Sequence, residues 1–337
     1  MRFCKRPFEN IEIDDNYFVY TCCPWYTNHY NIGNVSTDSF EEIWNSKNAQ
    51  IFRQKILNGD YSLCNTAKCC EYNNLTDIPK EEIEKKYSTV MKEYPVFISL
   101  DYDRTCNAKC IICRDKCISN KKEETKKLND IAEKTILPLL KSAKTVYLSG
   151  AGEVFYSTHS KYLIKRITEL YPDIKFDIIS NGLLCNKENI EKTGLKGKIT
   201  KLTLSIHAAT KETYKKIVRA GNFDTILKNL AYLQELKDSG EIGLIQLIFI
   251  VSSLNYKDMP LFAEMAKKFG MVAVFCEYVK RDDTEMGKDA ENYMIHLPSH
   301  PLHKDFLNIL QDKRLNYAPD CFFNPLIANL KNQAEKN

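Results

Sequence analysis

At 337 residues the chain has room for one large domain and a small one, and its 44% hydrophobic and 27% charged content excludes a disordered or fibrous protein. Lys and Arg number 48 against 44 Asp and Glu, and the densest basic stretch, Lys121 to Lys127, is broken by Glu123 and Glu124, so no basic stripe for nucleic acid stands out. The most apolar window, Leu244 to Leu254, contains Gln246 and falls well short of the ~20 residues that span a bilayer, so a buried strand and no membrane partner are expected.

The predicted elements begin with a cysteine-rich stretch. Met1 to Asp15 has no apolar core flanked by a small-residue cleavage site, so a cytoplasmic location is expected. Thirteen cysteines in a chain of this size then point to metal binding or redox chemistry rather than to disulfides. Cys4, Cys22, Cys23, Cys64, Cys69 and Cys70 fall in the first ~80 residues, which are rich in Asn and Tyr and have few long periodic segments. They surround the segments IGNV and DSFEEIW and a helix carrying Phe52 and Arg53, and a charged helical stretch follows at Lys80 to Lys86. Residues 1–80 are therefore expected to form a small domain, 81–95 a linker helix, 96–282 the main domain and 283–337 a C-terminal extension.

From Val96 onward, short apolar runs alternate with amphipathic segments at the spacing of βα units and a parallel sheet. Six strands are predicted: Val96 to Asp101, Val146 to Ser149, Phe176 to Ser180, Leu202 to Ile206, Leu244 to Val251 and Val272 to Cys276. Between them Leu128, Ile131, Ile136 and Leu139, then Leu163, Ile167 and Leu170, then Ile226, Leu230 and Leu233 recur near the helical period. The fold class is read as α/β, a partial (β/α)6 TIM-like barrel with ligands at the carboxyl ends of its strands. After Asp282 the pattern weakens; with His296, His300 and His303 among Pro298 and Pro301, the tail reads as loop plus one or two short helices. The isolated Cys185, Cys276 and Cys321 read as packing residues, because free cysteine behaves as a small buried hydrophobe.

The motifs that carry chemistry sit at predicted strand ends. The first strand runs into CNAKCIIC, in which Cys106, Cys110 and Cys113 form C-x3-C-x2-C. Thiolates are the normal ligands of iron–sulfur clusters, and three on one loop hold three irons of a [4Fe-4S] cube while the fourth keeps an open position. A zinc knuckle using Cys110 and Cys113 with two distant ligands is the alternative. The second strand ends in Gly150, Gly152 and Glu153, where small residues let the backbone approach a ligand and a carboxylate can accept hydrogen bonds from an ammonium group. Asn181 and Ser205, at the ends of the third and fourth strands, offer amide and hydroxyl groups, although Asn181 equally suits a turn. Arg219, in KIVR, has the planar fork that suits a carboxylate, and a surface helix arginine is the plainer reading. His207 titrates near neutrality and is the candidate acid or base, against a structural histidine.

Over roughly Val96 to Asp282 these motifs resemble the radical S-adenosylmethionine (SAM) superfamily, whose hallmark is C-x3-C-x-φ-C in the loop after the first barrel strand. The resemblance implies that Cys106, Cys110 and Cys113 hold a catalytic [4Fe-4S] cluster that SAM chelates. Reductive cleavage of SAM then gives methionine and a 5′-deoxyadenosyl radical that abstracts a substrate hydrogen. It implies Glu153, with Gly150 and Gly152, on the methionine amino group, Asn181 and Ser205 on the ribose or methionine carboxylate, and Arg219 on that carboxylate. The φ position is Ile112 where the family commonly has an aromatic residue, and Val154 replaces the usual proline after Glu153. The N-terminal cysteine string resembles the SPASM domain, which binds auxiliary iron–sulfur clusters and usually follows the barrel; here it precedes it. It implies one auxiliary [4Fe-4S] cluster on Cys4, Cys22, Cys64 and Cys69, with Cys23 and Cys70 as substitutes and structural zinc as the alternative.

An oxidoreductase-type radical SAM enzyme is thus expected, acting in peptide (RiPP) maturation or oxidation and fed electrons by a flavodoxin or ferredoxin. A sugar or small-metabolite dehydrogenase, epimerase or dehydratase competes with it. So does a non-catalytic iron–sulfur or zinc protein, which would have no need of Glu153 and Ser205.

Overall fold

The computed structural model describes residues 1–148, 151–282, 284–316 and 320–335. The chain forms two compact units, one of Met1–Arg104, Asn120–Gly152 and Thr158–Phe176, the other of Thr105–Ser119, Glu153–Ser157 and Asp177 onward.

In the first unit β1 (Asn10–Ile13), β2 (Phe18–Tyr20) and β3 (Gly33–Asn34) form an antiparallel meander. Its first turn is made by Asp14, whose Oδ1 accepts from the N–H groups of Asn16 and Phe18, both at 2.9 Å. On its other edge β1 runs parallel to β4 (Phe97–Leu100), with Ile11 opposite Ile98, and β4 runs parallel to β5 (Thr145–Leu148). A strand from the cysteine-rich segment is therefore laid beside the first strand of the βα series. DSFEEIW starts a helix, Phe40–Trp44, because Ser39 and Glu42 cap it reciprocally: Ser39 N donates to Glu42 Oε2 at 2.8 Å and Glu42 N to Ser39 Oγ at 3.4 Å. In the next helix, Lys47–Leu57, Arg53 is fully buried. Its Nε donates to the Pro7 carbonyl at 2.9 Å and its Nη1 to Asn45 Oδ1 at 3.0 Å and the Thr89 carbonyl at 3.1 Å, so one guanidinium ties three segments together.

Two carboxylates at the ends of β1 and β4 make this unit pH-sensitive. Glu12 lies opposite Ser99, whose hydroxyl donates to Asp101 Oδ2 at 3.1 Å, while Asp101 Oδ1 is buried without a partner. Burial, reinforced by Glu12, pushes Asp101 up to about 7, and burial pushes Glu12 up to about 7 against the pull of Arg6. Between their ordinary values and 7 the folded chain holds protons that the unfolded chain has lost, so stability falls as pH rises through that window. Asp101→Asn is expected to stabilise the protein by roughly 2 kcal/mol at pH 8 and hardly at all at pH 4. Urea melts at the two pH values check this.

The second unit receives β6 (Lys175–Ser180) at Asp177 and continues through β7 (Ile199–Ser205), β8 (Ile242–Val251), β9 (Val272–Glu277) and β10 (Cys321–Phe323), adjacent in that order. The β7/β8, β8/β9 and β9/β10 pairs are parallel, which puts Ser205 opposite Ile248, Ile250 opposite Cys276 and Phe275 opposite Phe323. Phe262 packs edge to face on Phe249 at 4.9 Å and on Phe275 at 5.8 Å, Phe249 and Phe275 lie tilted at 5.5 Å, and the cluster seats the helix Met259–Lys268 on the sheet. The α/β arrangement with an unclosed parallel sheet is that of a partial TIM-like barrel.

The six predicted strands are β4 to β9; Ser149, the predicted last residue of the second, lies outside the described residues. The expectation for the tail needs correction. It contributes a strand, β10, and a ten-residue helix, Pro325–Ala334, and Phe323 stacks on Phe275 at 5.2 Å. Cys185 is fully buried as a packing residue, whereas Cys276 is only partly buried. No helix among the described residues is long and apolar enough to cross a membrane.

Candidate functional site

The loop that follows β4 is closed by its own backbone. Cys106 N donates to the Ile118 carbonyl at 2.8 Å and Ile118 N returns the bond at 3.0 Å; inside the loop Cys113 N donates to the Cys110 carbonyl at 2.9 Å, and Ile111 N donates to the Ile217 carbonyl at 3.0 Å. This holds the three thiols within one another's electrostatic reach. Burial first, then Cys113 and Cys106, push Cys110 up to about 12. Burial also raises Cys106, with Glu153 and Cys113 adding to it and the Ala108 N–H and Arg114 opposing. Arg114 is 8% exposed and its Nε donates to Cys113 Sγ at 3.4 Å. Burial works against its charge, but Cys113, Cys106 and Cys110 outweigh that and raise its pKa.

The residues fit an iron–sulfur cluster. Crowded thiols whose thiolate forms repel one another are relieved by a polycationic group, and a buried guanidinium beside them offsets the net negative charge of a thiolate-ligated cluster. Tyr214 adds a buried hydroxyl without a partner, within electrostatic reach of Cys110 and Glu153. No three Cys, His, Asp or Glu side chains among the described residues converge on a point where a single metal ion would sit.

Glu153 is joined to this loop. It is 1% exposed, and its backbone N–H donates to the Thr105 carbonyl at 2.7 Å. Its carboxylate accepts from Ser180 Oγ at 2.7 Å, Asn181 N at 2.6 Å and Phe155 N at 3.3 Å. Burial raises its pKa against these three donors. Asn181 in turn donates through Nδ2 to Asn107 Oδ1, inside the cysteine loop, at 2.8 Å and accepts from Leu183 N at 3.0 Å. Gly182 takes a φ of +79° to make that turn, a conformation cheap only for glycine. Asn181 is thus both a turn residue and a tie to the loop. Gly152 directly precedes Glu153, and Gly150 lies outside the described residues.

A cavity of about 460 Å³ opens at the ends of β7, β8 and β9, lined by Ile112 and Cys113 of the loop, by Ser205 and His207, and by Cys276, Glu277 and Tyr278. Its size suits a cofactor-sized ligand. His207 is buried, sits at a φ of +60°, and accepts through Nδ1 from Ile250 N at 3.1 Å, so its proton is on Nε2. Burial lowers its pKa to about 4 and leaves it neutral. Glu277 Oε2 and the Tyr278 hydroxyl are buried without hydrogen-bond partners. These residues escaped the sequence reading, although their place at the carboxyl end of a strand was the available signal. Arg219 lines a different cavity, of about 640 Å³, with Lys109, Lys211 and Lys215, and it is ion-paired to Glu285 through two contacts, one of 2.9 Å.

In the first unit Cys4, Cys22, Cys64 and Cys69 line one narrow apolar cavity, while Cys23 and Cys70 do not line it. Burial pushes Cys22 and Cys64 up to about 12, Cys4 and Cys69 adding to each, and burial raises Cys4, with Cys69 adding. Arg6 approaches Cys22 Sγ at 3.9 Å and pairs with Glu71 at 2.8 Å. Cys70 is exposed, 3.7 Å from the Tyr26 hydroxyl. Alanine at Cys4, Cys22, Cys64 or Cys69 is expected to remove ~4 irons from reconstituted protein, and alanine at Cys23 or Cys70 none, by iron analysis of each variant.

The α/β fold and its thiol-lined strand-end loop define a protein built around an iron–sulfur centre. Residues 103–266 match the radical SAM superfamily and residues 4–71 match SPASM, an iron–sulfur cluster-binding domain. The chain thus carries a radical SAM domain with a SPASM iron–sulfur domain N-terminal to it. A radical SAM domain implies a [4Fe-4S] cluster, SAM, a substrate and a reductant, and the SPASM domain implies auxiliary iron–sulfur binding. The chain is 26% identical over 174 residues to a probable GTP 3′,8-cyclase of Saccharolobus islandicus, covering 49% of this chain and 51% of that one. It is 21% identical over 202 residues to a probable GTP 3′,8-cyclase of Methanococcus maripaludis, covering 58% and 62%. It therefore spans between half and two thirds of these curated relatives. Among solved structures it is similar to methylornithine synthase (14% identity, 71% and 69% covered, TM-score 0.42) and to the coproporphyrinogen III oxidase of Escherichia coli (16% identity, 66% and 51% covered, TM-score 0.46).

Proposed function

We propose that this chain cleaves SAM reductively and abstracts a hydrogen atom from a peptide, in maturation or oxidation of a ribosomal precursor. The observation that carries this reading is the hydrogen-bonded joining of the cysteine loop to Glu153 and Asn181, while Ile112 and Cys113 of the same loop line the 460 Å³ cavity. When bound, the cluster on Cys106, Cys110 and Cys113 together with SAM supplies the electron transfer and the 5′-deoxyadenosyl radical. The chain's own residues bind and orient. A carboxylate has about four lone-pair sites, so Glu153, with three donors already in place, keeps one for the methionine ammonium. Asn181 and Ser205 would meet the ribose or methionine carboxylate, Arg219 that carboxylate after leaving Glu285, and Ile112 shields the loop from water. His207 serves the cavity as a neutral Nε2–H donor.

In the same reading, Cys4, Cys22, Cys64 and Cys69 would hold one auxiliary [4Fe-4S] cluster, which when bound would offer a one-electron acceptor, a flavodoxin or ferredoxin supplies the reductant, and residues 1–80, 81–95, 96–282 and 283–337 act as domain, linker, catalytic domain and extension. A cytoplasmic setting keeps the thirteen cysteines reduced. The relatives' description as probable GTP 3′,8-cyclases favours a second reading, a small-metabolite substrate. Anaerobically reconstituted protein should carry ~8 irons and release 5′-deoxyadenosine with dithionite and SAM. Zinc in place of iron, or no deoxyadenosine, would sink the reading. Faster release with GTP but not with peptides encoded beside the gene would move it to the second.

A further inference from the structure

One thiol of the cavity belongs to neither cysteine group. Cys276, the fifth residue of β9, lines the same cavity as Cys113 and Ile112, so it faces the space in which the radical reading places its chemistry. Its neighbour Tyr278, also a lining residue, is 2% exposed and has a buried hydroxyl with no partner, which marks this wall as built to meet a polar ligand rather than to pack against protein. We propose that Cys276 is the hydrogen-atom donor of this cavity and returns hydrogen to a carbon radical formed there. The inference rests on the SAM cleavage and hydrogen abstraction proposed above, and takes the maturation branch, in which the substrate radical is quenched by a hydrogen atom instead of passing its electron to an auxiliary cluster.

The chemistry balances. A sulfur–hydrogen bond is weaker than an aliphatic carbon–hydrogen bond, so a thiol gives its hydrogen atom to a carbon radical downhill. The deoxyadenosyl radical takes one hydrogen atom from substrate carbon; Cys276 S–H breaks homolytically and its hydrogen forms the new C–H bond; the sulfur radical left behind takes one electron, from the same class of one-electron reductant that feeds the cluster, and one proton. The substrate is neither oxidised nor reduced, and hydrogen returned on the opposite face inverts the carbon. Burial raises the Cys276 pKa, with Glu277 adding, so the group stays protonated at neutral pH, the form that can donate.

The test needs only SAM. In D2O with dithionite and no added thiol, Cys276 carries S–D, and the radical formed without substrate takes that deuterium, so the 5′-deoxyadenosine is monodeuterated by mass spectrometry. Cys276→Ser, whose O–H bond is too strong to donate, loses the deuterium, whereas Cys321→Ser keeps it. At pH 9, where part of the thiol ionises, iodoacetamide should also alkylate Cys276 in reconstituted protein, and SAM should block it; circular dichroism melts confirm that Cys276→Ser is folded, and Cys276→Ala repeats the isotope test should it not be. Deoxyadenosine without deuterium in the wild type, deuterium retained in the variant, or no protection by SAM overturns the inference while leaving the function standing. No deoxyadenosine at all overturns both.

Discussion

Replacing Cys110 with alanine is expected to abolish 5′-deoxyadenosine release and lower the iron of reconstituted protein from ~8 to ~4 per chain, with the fold left standing. Cys110 lies between the other two thiols of its loop, and both push its pKa up, so its thiolate is the one most dependent on bound iron for its charge. The metal-free variant loses only a small side chain, and its unfolding free energy from urea melts should change by about 1 kcal/mol or less. The comparison is Cys117→Ala, four residues past Cys113: its exposed Sγ donates to the Asn107 carbonyl at 3.4 Å, and its loss should leave both iron and activity intact. Iron analysis and chromatography of the SAM reaction decide the matter. Equal iron in Cys110→Ala and wild type would remove the three-thiol site from consideration.

What the sequence made legible was what repeats or what sits at a fixed place. The strands β4 to β9 are visible because each is an apolar run between amphipathic helices, and the cysteine loop, Glu153, Asn181 and Ser205 are visible because they end those strands. The strands β1 and β10 were not visible: four residues of NIEI and three of CFF carry too short a period, and their partners lie far away in the chain. The ties between motifs were equally silent. Asn107 and Asn181 are 74 residues apart, and Arg219 meets Glu285 across 66 residues, so a motif that pointed Arg219 toward a ligand could not announce the carboxylate already holding it. The resemblance had already named Cys4, Cys22, Cys64 and Cys69, but that Cys23 and Cys70 do not line their cavity needed three dimensions, because adjacent cysteines in sequence point to different surroundings.

Glu153→Gln should separate SAM binding from cluster assembly. The substitution keeps the shape and one accepting oxygen for Ser180 Oγ or Asn181 N, but removes the charge that an ammonium group would meet. A charge-assisted hydrogen bond in a buried site is worth about 1.5–3 kcal/mol, so SAM affinity should fall by roughly 10- to 100-fold while iron content stays at the wild-type level. The pH dependence gives an independent check. Burial holds the Glu153 pKa above the ordinary carboxylate range, so the folded protein keeps a proton there that the unfolded chain has already lost, and the metal-free protein loses stability as pH rises through that interval. Neutral glutamine removes this penalty, so the variant's stability should decline less with rising pH. Ligand binding runs the other way. The charged carboxylate is the form that pairs with ammonium, so wild-type affinity should rise with pH across the interval in which the variant's stays flat. Calorimetric titration of SAM into reconstituted protein at several pH values measures both, and a glutamine variant that binds SAM as tightly as the wild type, with the same pH profile, would show that Glu153 holds the loop together without touching the cofactor.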